Sequence, residues 1–395
     1  MSRSYRILYH HRIRADDGQA VHVRELIGAL RAAGHEVHEA ALVPKTGAAA
    51  AVRDAARAPS FWQRLSLPRP AIELAERLYN RTGRRLLRAA ALQFRPDFVY
   101  ERHALHCHAG LDVARELGVP LLLEVNSPMV DEMQKLGKLW FRGAAQRTER
   151  QVLGAADAVL AVTEVLGQML VQRGARPAAV HVVGNGAVPE RYDAAARAAA
   201  AQLRARWALP AGAFALGFVG YMRPWHRLDL VLDVMSRPGF GELVLVLVGT
   251  GPALPALQAR AAALGLSARL LALGEVPPAA LPAHVLALDA ALIPAINAYA
   301  SPLKLFDSLA AGVPTLAPDQ PNLRENLQDG QNGLLFAPGA ADALAVALGR
   351  LVQDRGFAAR LGAAGRQSLL AQRWTWAGNA ERVAAIAARV LEARR

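Results

Sequence analysis

Leu243-Val-Leu-Val-Leu-Val248-Gly-Thr-Gly251-Pro252 is an apolar run stopped by two glycines, and the Ala/Leu/Arg pattern of 253–264 follows at once. A short strand that feeds directly into a helix is one repeat of an alternating α/β chain. Working outward, further strands are expected at 214–219, 270–273, 290–293, 315–317 and 333–336, with helices at 228–235, 301–311, 341–352 and 357–370. The first half carries its own series, with strands at 5–9, 36–42, 97–100, 120–125, 158–162 and 180–183. Helical patterns at 21–33, 109–117 and 163–174 separate them. Such alternation predicts parallel sheets covered by helices on both faces. Two series predict two doubly wound, Rossmann-like domains facing across a cleft, with ligands outside the carboxyl ends of the strands. The expected division is a first domain at 1–188, a linker with a short helix at 189–210, a second domain at 211–372 and an amphipathic C-terminal helix at 373–395. That helix places Val383, Ile386, Val390 and Leu391 on its apolar positions and is expected to pack back on a domain.

The 395 residues are 53% hydrophobic and 20% charged, enough apolar material for two cores and unlike a disordered chain. No run approaches the roughly 20 apolar residues that span a bilayer. The opening residues 1–16 break into charge before a signal-type segment forms, so a cytoplasmic location is expected. The single cysteine, Cys107, rules out an internal disulfide framework and a cysteine-based zinc cluster. Net charge is +13, and 45–95 holds eleven basic residues against three acidic ones. No nucleic-acid-binding motif accompanies that excess, so no nucleic-acid partner is expected. The 45–95 segment interrupts the first strand series, and its basic helical part at 71–94 suits either peripheral contact with the inner face of a membrane or a solvated helix face.

Three segments of the second half gather chemistry. Gly220-Tyr-Met-Arg223-Pro-Trp-His226-Arg227 follows a strand directly, so Gly220 lets a ligand approach while Arg223, His226 and Arg227 offer cationic donors. Gly249-Thr-Gly251-Pro252 exposes amides at a helix start, which suits an anion, although a tight turn also needs such glycines. Neither a Gly-x-Gly-x-x-Gly fingerprint nor a Gly-Lys-Ser/Thr loop is present there. In the segment from Tyr299 to Ala317, Ser301 is the expected N-cap and Pro302 the first helical residue. Lys304 then falls in the first turn, where a cation is disfavoured unless an anion sits nearby, and Asp307 follows one turn deeper. A phosphate at the helix start and a hydroxyl pair at Asp307 would explain both; a plain Lys–Asp surface pair is the alternative.

In the first half, the loop from Asp16 to His22 and the strand ends Tyr100-Glu101-Arg102-His103 and Glu124-Val125-Asn126-Ser127 are expected to face the same cleft. His103, His106 and His108 lack the spacing of a zincin pair and a completing carboxylate, so no metal site is expected. No Gly-x-Ser-x-Gly elbow occurs, which leaves a serine nucleophile unsupported.

In their order, these landmarks resemble glycosyltransferase family 4, sugar-nucleotide-dependent retaining enzymes of the GT-B architecture. The resemblance runs from Gly18–His22 and Leu30–Val37 through Val162-Thr-Glu164, Gly184-Asn-Gly186, Phe218-Val-Gly220 and 248–252 to 303–317. It implies that the second domain holds a nucleotide sugar, with Asp307 on the ribose hydroxyls where the family usually has Glu. Arg223, His226, Lys304 and the amide at Leu303 would clamp the diphosphate, together with Gly220 and Gly251. Gly18 would approach that diphosphate from the first domain, while Asn126 and Arg102 fall at positions where many members carry His. Ser-Pro-Leu-Lys-Leu-Phe looks like one bacterial branch, in which Tyr299 stands where the family's Glu-x7-Glu motif has its first acid, and Arg227 stands where Gly is usual.

The implied activity is transfer of a sugar to an envelope, cell-surface glycan or lipid-linked acceptor by front-face, metal-independent displacement. The nucleotide-diphosphate sugar is then a co-substrate and no cofactor is needed. Asn126, Arg223 and Lys304 would be the catalytic groups. A sugar-nucleotide epimerase or hydrolase on the same fold stays open, as does a degenerate nucleotide-sugar-binding subunit, to which Tyr299 and Asn126 point.

Overall fold

Why the short apolar runs become parallel strands is visible in which faces they bury. The computed structural model describes residues 3–46 and 68–395, so much of the basic 45–95 segment lies outside the described residues. Strands β1 (Arg6–His10), β2 (Glu36–Ala40), β3 (Phe98–Arg102), β4 (Leu121–Val125), β5 (Ala158–Ala161) and β6 (Val180–Val182) form one six-stranded sheet in the order β2-β1-β3-β4-β5-β6. Strands β7 (Phe214–Val219), β8 (Leu243–Val248), β9 (Leu270–Gly274), β10 (Ala290–Leu292), β11 (Thr315–Pro318) and β12 (Leu334–Phe336) form the other, ordered β12-β11-β10-β7-β8-β9. Every pairing between these strands is parallel. Strand β8 shows the logic: Leu243, Leu245 and Leu247 enter one apolar core, while Val244, Val246 and Val248 enter the core on the opposite face. A strand buried on both sides reads as a continuous apolar run because neither face meets water. Truncating Leu245 to Ala would cost about 2–5 kcal/mol, the usual range for a buried leucine.

The chain divides into two compact units, Met1–Gly184 with Trp376–Arg395, and Asn185–Thr375. In the first unit, the Gly18–Ala32 helix packs along the C-terminal helix, Trp376–Ala393. His22 meets the Trp376 ring edge-on at 5.0 Å. In the second unit, the stretch expected as a linker carries the Ala194–Arg206 helix. Arg204 anchors that helix to the carbonyls of Ala213 and Ala287 and to Asp289.

Two local expectations are corrected. The helix expected from Ser301 begins at Leu303, with Pro302 at the N-cap position and no side-chain cap. Ser301 is occupied elsewhere: its hydroxyl accepts from the Asn185 amide at 3.2 Å, and its carbonyl accepts from the Asn185 side chain. Glu101 and Arg102 also do not share a face, because neighbouring residues on a strand point to opposite sides. Arg102 meets Glu124, whereas Glu101 turns to His10 and the Gly110 amide.

Candidate functional site

In the second unit, the carboxyl ends of β7 and β8 are zipped together through their backbones. Gly220 N donates to Val248 O at 2.9 Å, Met222 N to Thr250 O at 2.7 Å, and Ala253 N to Met222 O at 3.1 Å. Side chains have no room in this zipper. A Cβ on Gly249 would lie 2.3 Å from Gly220 O, and one on Gly251 would lie 2.3 Å from Met222 O. Gly251 therefore serves the approach of two loops, the turn-geometry alternative weighed from the sequence. Gly220 differs, since its missing side chain leaves space beside the Lys304 ammonium, 3.4 Å from where the Cβ would stand.

Lys304 projects from the first turn of the Leu303–Ala311 helix, and its Nζ lies 3.6 Å from the Phe218 ring centroid. Desolvation lowers its pKa from 10.5 to about 7. Arg223 is exposed and crosses the Tyr221 ring at 5.1 Å. Among the described residues neither cation is in an ion pair. His226 does not add a third charge. Burial first, and then the charges of Lys304 and Arg223, lower its pKa to about 3. Its Nδ1 accepts from Arg223 N at 3.1 Å, which leaves the neutral ring's proton on Nε2. The sequence reading of His226 as a cation is thus corrected to a neutral donor.

Arg227 turns out from this cluster, adopting φ +56° and pairing with Asp229. A left-handed backbone explains why glycine suits that position. Asp307 lies a turn beyond Lys304, and its Oδ1 accepts from the Tyr192 hydroxyl at 2.8 Å. The Tyr299 hydroxyl accepts from Asn297 Nδ2 at 3.0 Å, and Asn322 ties down the carbonyls of Asn297 and Ala300.

In the first unit a different centre appears, built around Glu124 near the end of β4. Its buried carboxylate accepts from the Tyr100 hydroxyl at 2.7 Å, faces His22 Nε2 at 3.0 Å, and takes hydrogen bonds from Arg102 and Asn126. Desolvation alone would favour the neutral acid; the His22 and Arg102 charges and these hydrogen bonds overcome it and hold the pKa far below the usual range. Gly18 opens the Gly18–Ala32 helix, capped by Asp17, whose side chain accepts from Gln19 N. The structure thus brings Arg102, Asn126 and His22 together through a residue that the sequence placed at a strand end without a role. Its signal was a lone acid inside the apolar run 120–125.

The three closely spaced histidines go separate ways, His106 to Glu73 and His108 to Asp112. A second buried cluster was not legible beforehand: His10 Nδ1 meets Glu101 Oε1 at 2.6 Å, His10 Nε2 meets the Tyr79 hydroxyl at 2.9 Å, and the Cys107 thiol approaches Glu101. Its members come from three distant stretches of chain. Burial pushes the Cys107 thiol well up and the Tyr79 phenol up to about 12, so both stay protonated at neutral pH.

Two doubly wound units, each a six-stranded parallel sheet flanked by helices, are the architecture of the GT-B class of folds. A solved structure shares it: Anabaena HepE in complex with UDP-glucose superposes with a TM-score of 0.69 over 98% of this chain and 99% of that one, at 16% identity. The model described as "Glycosyltransferase Family 4" matches residues 17–191, and "Glycosyl transferases group 1" matches 199–368. Similar proteins include a D-inositol 3-phosphate glycosyltransferase of Nocardia farcinica, 32% identical over 59% of this chain and 52% of that protein. Another is a GDP-mannose-dependent alpha-mannosyltransferase of Mycolicibacterium smegmatis, 29% identical over 71% of each chain. The match thus spans about half the length of the first relative and about seven tenths of the second. The chain belongs to glycosyltransferase family 4.

Proposed function

We propose that this chain is a retaining glycosyltransferase that moves a sugar from a nucleoside-diphosphate sugar to a glycan or lipid-linked acceptor. The observation that carries the reading is the pair of unpaired cations, Lys304 and Arg223, at the glycine-lined ends of β7 and β8. A lysine desolvated to a pKa of about 7 is costly to keep charged in the fold, and an anion would repay that cost. The diphosphate supplies one. As the bond between the anomeric carbon and the diphosphate oxygen breaks, negative charge grows on the leaving group. Lys304, Arg223, the His226 Nε2–H and the amides at Leu303 are the groups to stabilise it, a contribution typically of several kcal/mol. The acceptor oxygen attacks from the face the diphosphate leaves, and its proton passes to the departing phosphate oxygen. Displacement with retention then needs no carboxylate nucleophile, and the cations do the work a metal would otherwise share. Asp307 binds the ribose hydroxyls.

The same reading places the protein at an anionic membrane surface through the Arg69–Phe94 helix. No helix among the described residues is long and apolar enough to cross a membrane. Arg81, Arg84, Arg85, Arg88, Leu74 and Leu78 of that helix are exposed, and of these Arg84 and Arg88 pair with Asp112 and Glu116.

Calorimetry and thermal shift against UDP, GDP, ADP and TDP, with and without their common sugars, test the donor assignment. A selective response lost in Asp307→Ala supports it; a response untouched by that substitution removes the donor from this site. Turnover that needs no acceptor would identify an epimerase or hydrolase, and tight binding without turnover a degenerate subunit.

A further inference from the structure

One buried carboxylate of the first unit carries a lopsided load. Three groups converge on Glu101 Oε1: His10 Nδ1 at 2.6 Å, the Gly110 amide at 3.1 Å and the Cys107 thiol at 3.6 Å. The other oxygen, Oε2, is buried and meets no hydrogen-bond donor among the described residues. A buried polar atom without a partner requires an explanation. Glycine makes the room for it: a Cβ on Gly110 would stand 2.6 Å from Oε2, although Gly110 lies in the first turn of the Ala109–Leu117 helix, where alanine is the better helix former. One nitrogen of His10, one oxygen of Glu101 and the sulfur of Cys107 all lie within 4.8 Å of one another, and all three residues are buried. Those are ligand atoms that zinc takes. Tetrahedral zinc with its usual bond lengths sets a sulfur and an oxygen ligand about 3.6 Å apart, and a nitrogen and an oxygen about 3.4 Å apart. Cys107 Sγ and Glu101 Oε1 already stand at the first spacing. His10 Nδ1 would move away from Oε1 by under about 1 Å to reach the second.

We propose that His10, Glu101 and Cys107 form a structural zinc site in the first unit, with His10 Nδ1, Cys107 Sγ and the Glu101 carboxylate as ligands. A lone cysteine excludes a site made of cysteines alone, whereas this mixed set needs only one. Zinc takes the place of the hydrogen between His10 Nδ1 and Glu101. The imidazole keeps its proton on Nε2, where the Tyr79 hydroxyl, 2.9 Å away, accepts it. The thiol proton is released to solvent, because a thiol bound to zinc is deprotonated. Thiolate and carboxylate then balance the two charges of the ion, so the buried site is neutral. Tyr79 orients the imidazole and the Gly110 amide orients the carboxylate, the supporting hydrogen bonds that metal ligands usually have. Glu101 Oε2, which no donor engages, completes the coordination as the fourth ligand atom. His10 ends β1, Glu101 lies in β3 and Tyr79 belongs to the Arg69–Phe94 helix, so the ion fastens that helix to the sheet. The site belongs to the first unit alone and does not depend on the nucleotide-sugar reading.

The test uses the full chain without an affinity tag, expressed in medium supplemented with zinc or cobalt so that the ion is present while the buried site forms. Elemental analysis after dialysis should find about one zinc per chain. The cobalt form should show thiolate-to-cobalt charge-transfer absorption in the near ultraviolet. Cys107 is the one cysteine of the sequence, so that band has no other source. Cys107→Ser should abolish the band, and both Cys107→Ser and His10→Gln should lower the retained zinc about tenfold or more. Zinc-loaded wild type should melt at least about 3 °C above the chelator-stripped chain, a difference absent in Cys107→Ser. Should Cys107→Ser fail to fold, the zinc content and the cobalt band of the wild type decide the matter. A wild type with neither retained zinc nor the band overturns the proposal. So does zinc retained equally by folded Cys107→Ser, which marks an adventitious ion only.

Discussion

The Lys304 ammonium lies 3.6 Å from the centre of the Phe218 ring, with no carboxylate paired to it among the described residues. The aromatic face recovers some of the charge's lost hydration, and burial still lowers its pKa from 10.5 to about 7. Between those two values the unfolded chain holds a proton that the fold does not. Stability contributed by this group therefore rises with pH across that window, and the full cost is present below pH 7. Binding of a nucleoside diphosphate favours the charged form and should draw a proton from solution. Near pH 8, calorimetry in buffers of different ionisation enthalpy should show uptake approaching one proton, with affinity falling by up to roughly tenfold per pH unit above 7. Lys304→Met should abolish the uptake and bind at least tenfold more weakly without loss of stability at pH 6. Equal proton uptake by that variant would exclude Lys304 as the group.

Asp307 and Tyr192 share a hydrogen bond at 2.8 Å, although they lie far apart in sequence. Tyr192→Phe removes the hydroxyl and leaves the buried ring. Nucleoside diphosphate binding should weaken by about two- to tenfold, corresponding to about 0.5–1.5 kcal/mol. Asp307→Ala should cost more, because it removes the charged acceptor itself. Titration of both variants with the preferred nucleotide decides the order, and a larger effect from Tyr192→Phe would contradict it.

Gly251 is required by the loops themselves. Its φ is +152°, and an added Cβ would meet the Met222 carbonyl at 2.3 Å. Gly251→Ala should destabilise the protein by about 1–3 kcal/mol, the range for forced overpacking. Chemical denaturation with no ligand present should already show this loss. If only ligand affinity changes, Gly251 is a binding residue and not a packing one.

Arg227 holds a left-handed backbone at φ +56°, and among the described residues its one ion pair is with exposed Asp229. Left-handed geometry costs a non-glycine residue roughly 1–2 kcal/mol, while an exposed pair contributes under about 1 kcal/mol. Glycine gives some of the gain back through the greater freedom of its unfolded chain. Arg227→Gly should leave stability unchanged or raise it by up to about 1 kcal/mol in thermal or denaturant unfolding. A clear destabilisation would show that the side chain has a further structural partner.

On the Arg69–Phe94 helix, Arg81 and Arg85 are exposed and in no ion pair among the described residues. Arg84 and Arg88 face Asp112 and Glu116. Replacing exposed Arg81 and Arg85 with Glu should reduce flotation with vesicles containing anionic phosphatidylserine by at least severalfold at low salt, since each basic side chain near such a surface contributes about 1 kcal/mol. Unchanged flotation would remove this helix from membrane contact.

The sequence by itself determined the two doubly wound sheets, because a strand buried on both faces must be written as an uninterrupted apolar run, as in Leu243–Val248. It also marked Gly220, Arg223, Lys304 and Asp307, whose residue types and places beside strand ends and helix starts follow from local chemistry. Only the tertiary structure decided what surrounds them. Ser301 gave up the cap because Asn185, distant in sequence, claimed its hydroxyl. His226 lost its charge because burial and two cations surround it. Glu124 became a centre because strands β3 and β4 and the Gly18–Ala32 helix bring Tyr100, Arg102 and His22 to one carboxylate. Protonation and ion pairing depend on neighbours that are remote in sequence, so no reading of local pattern could supply them.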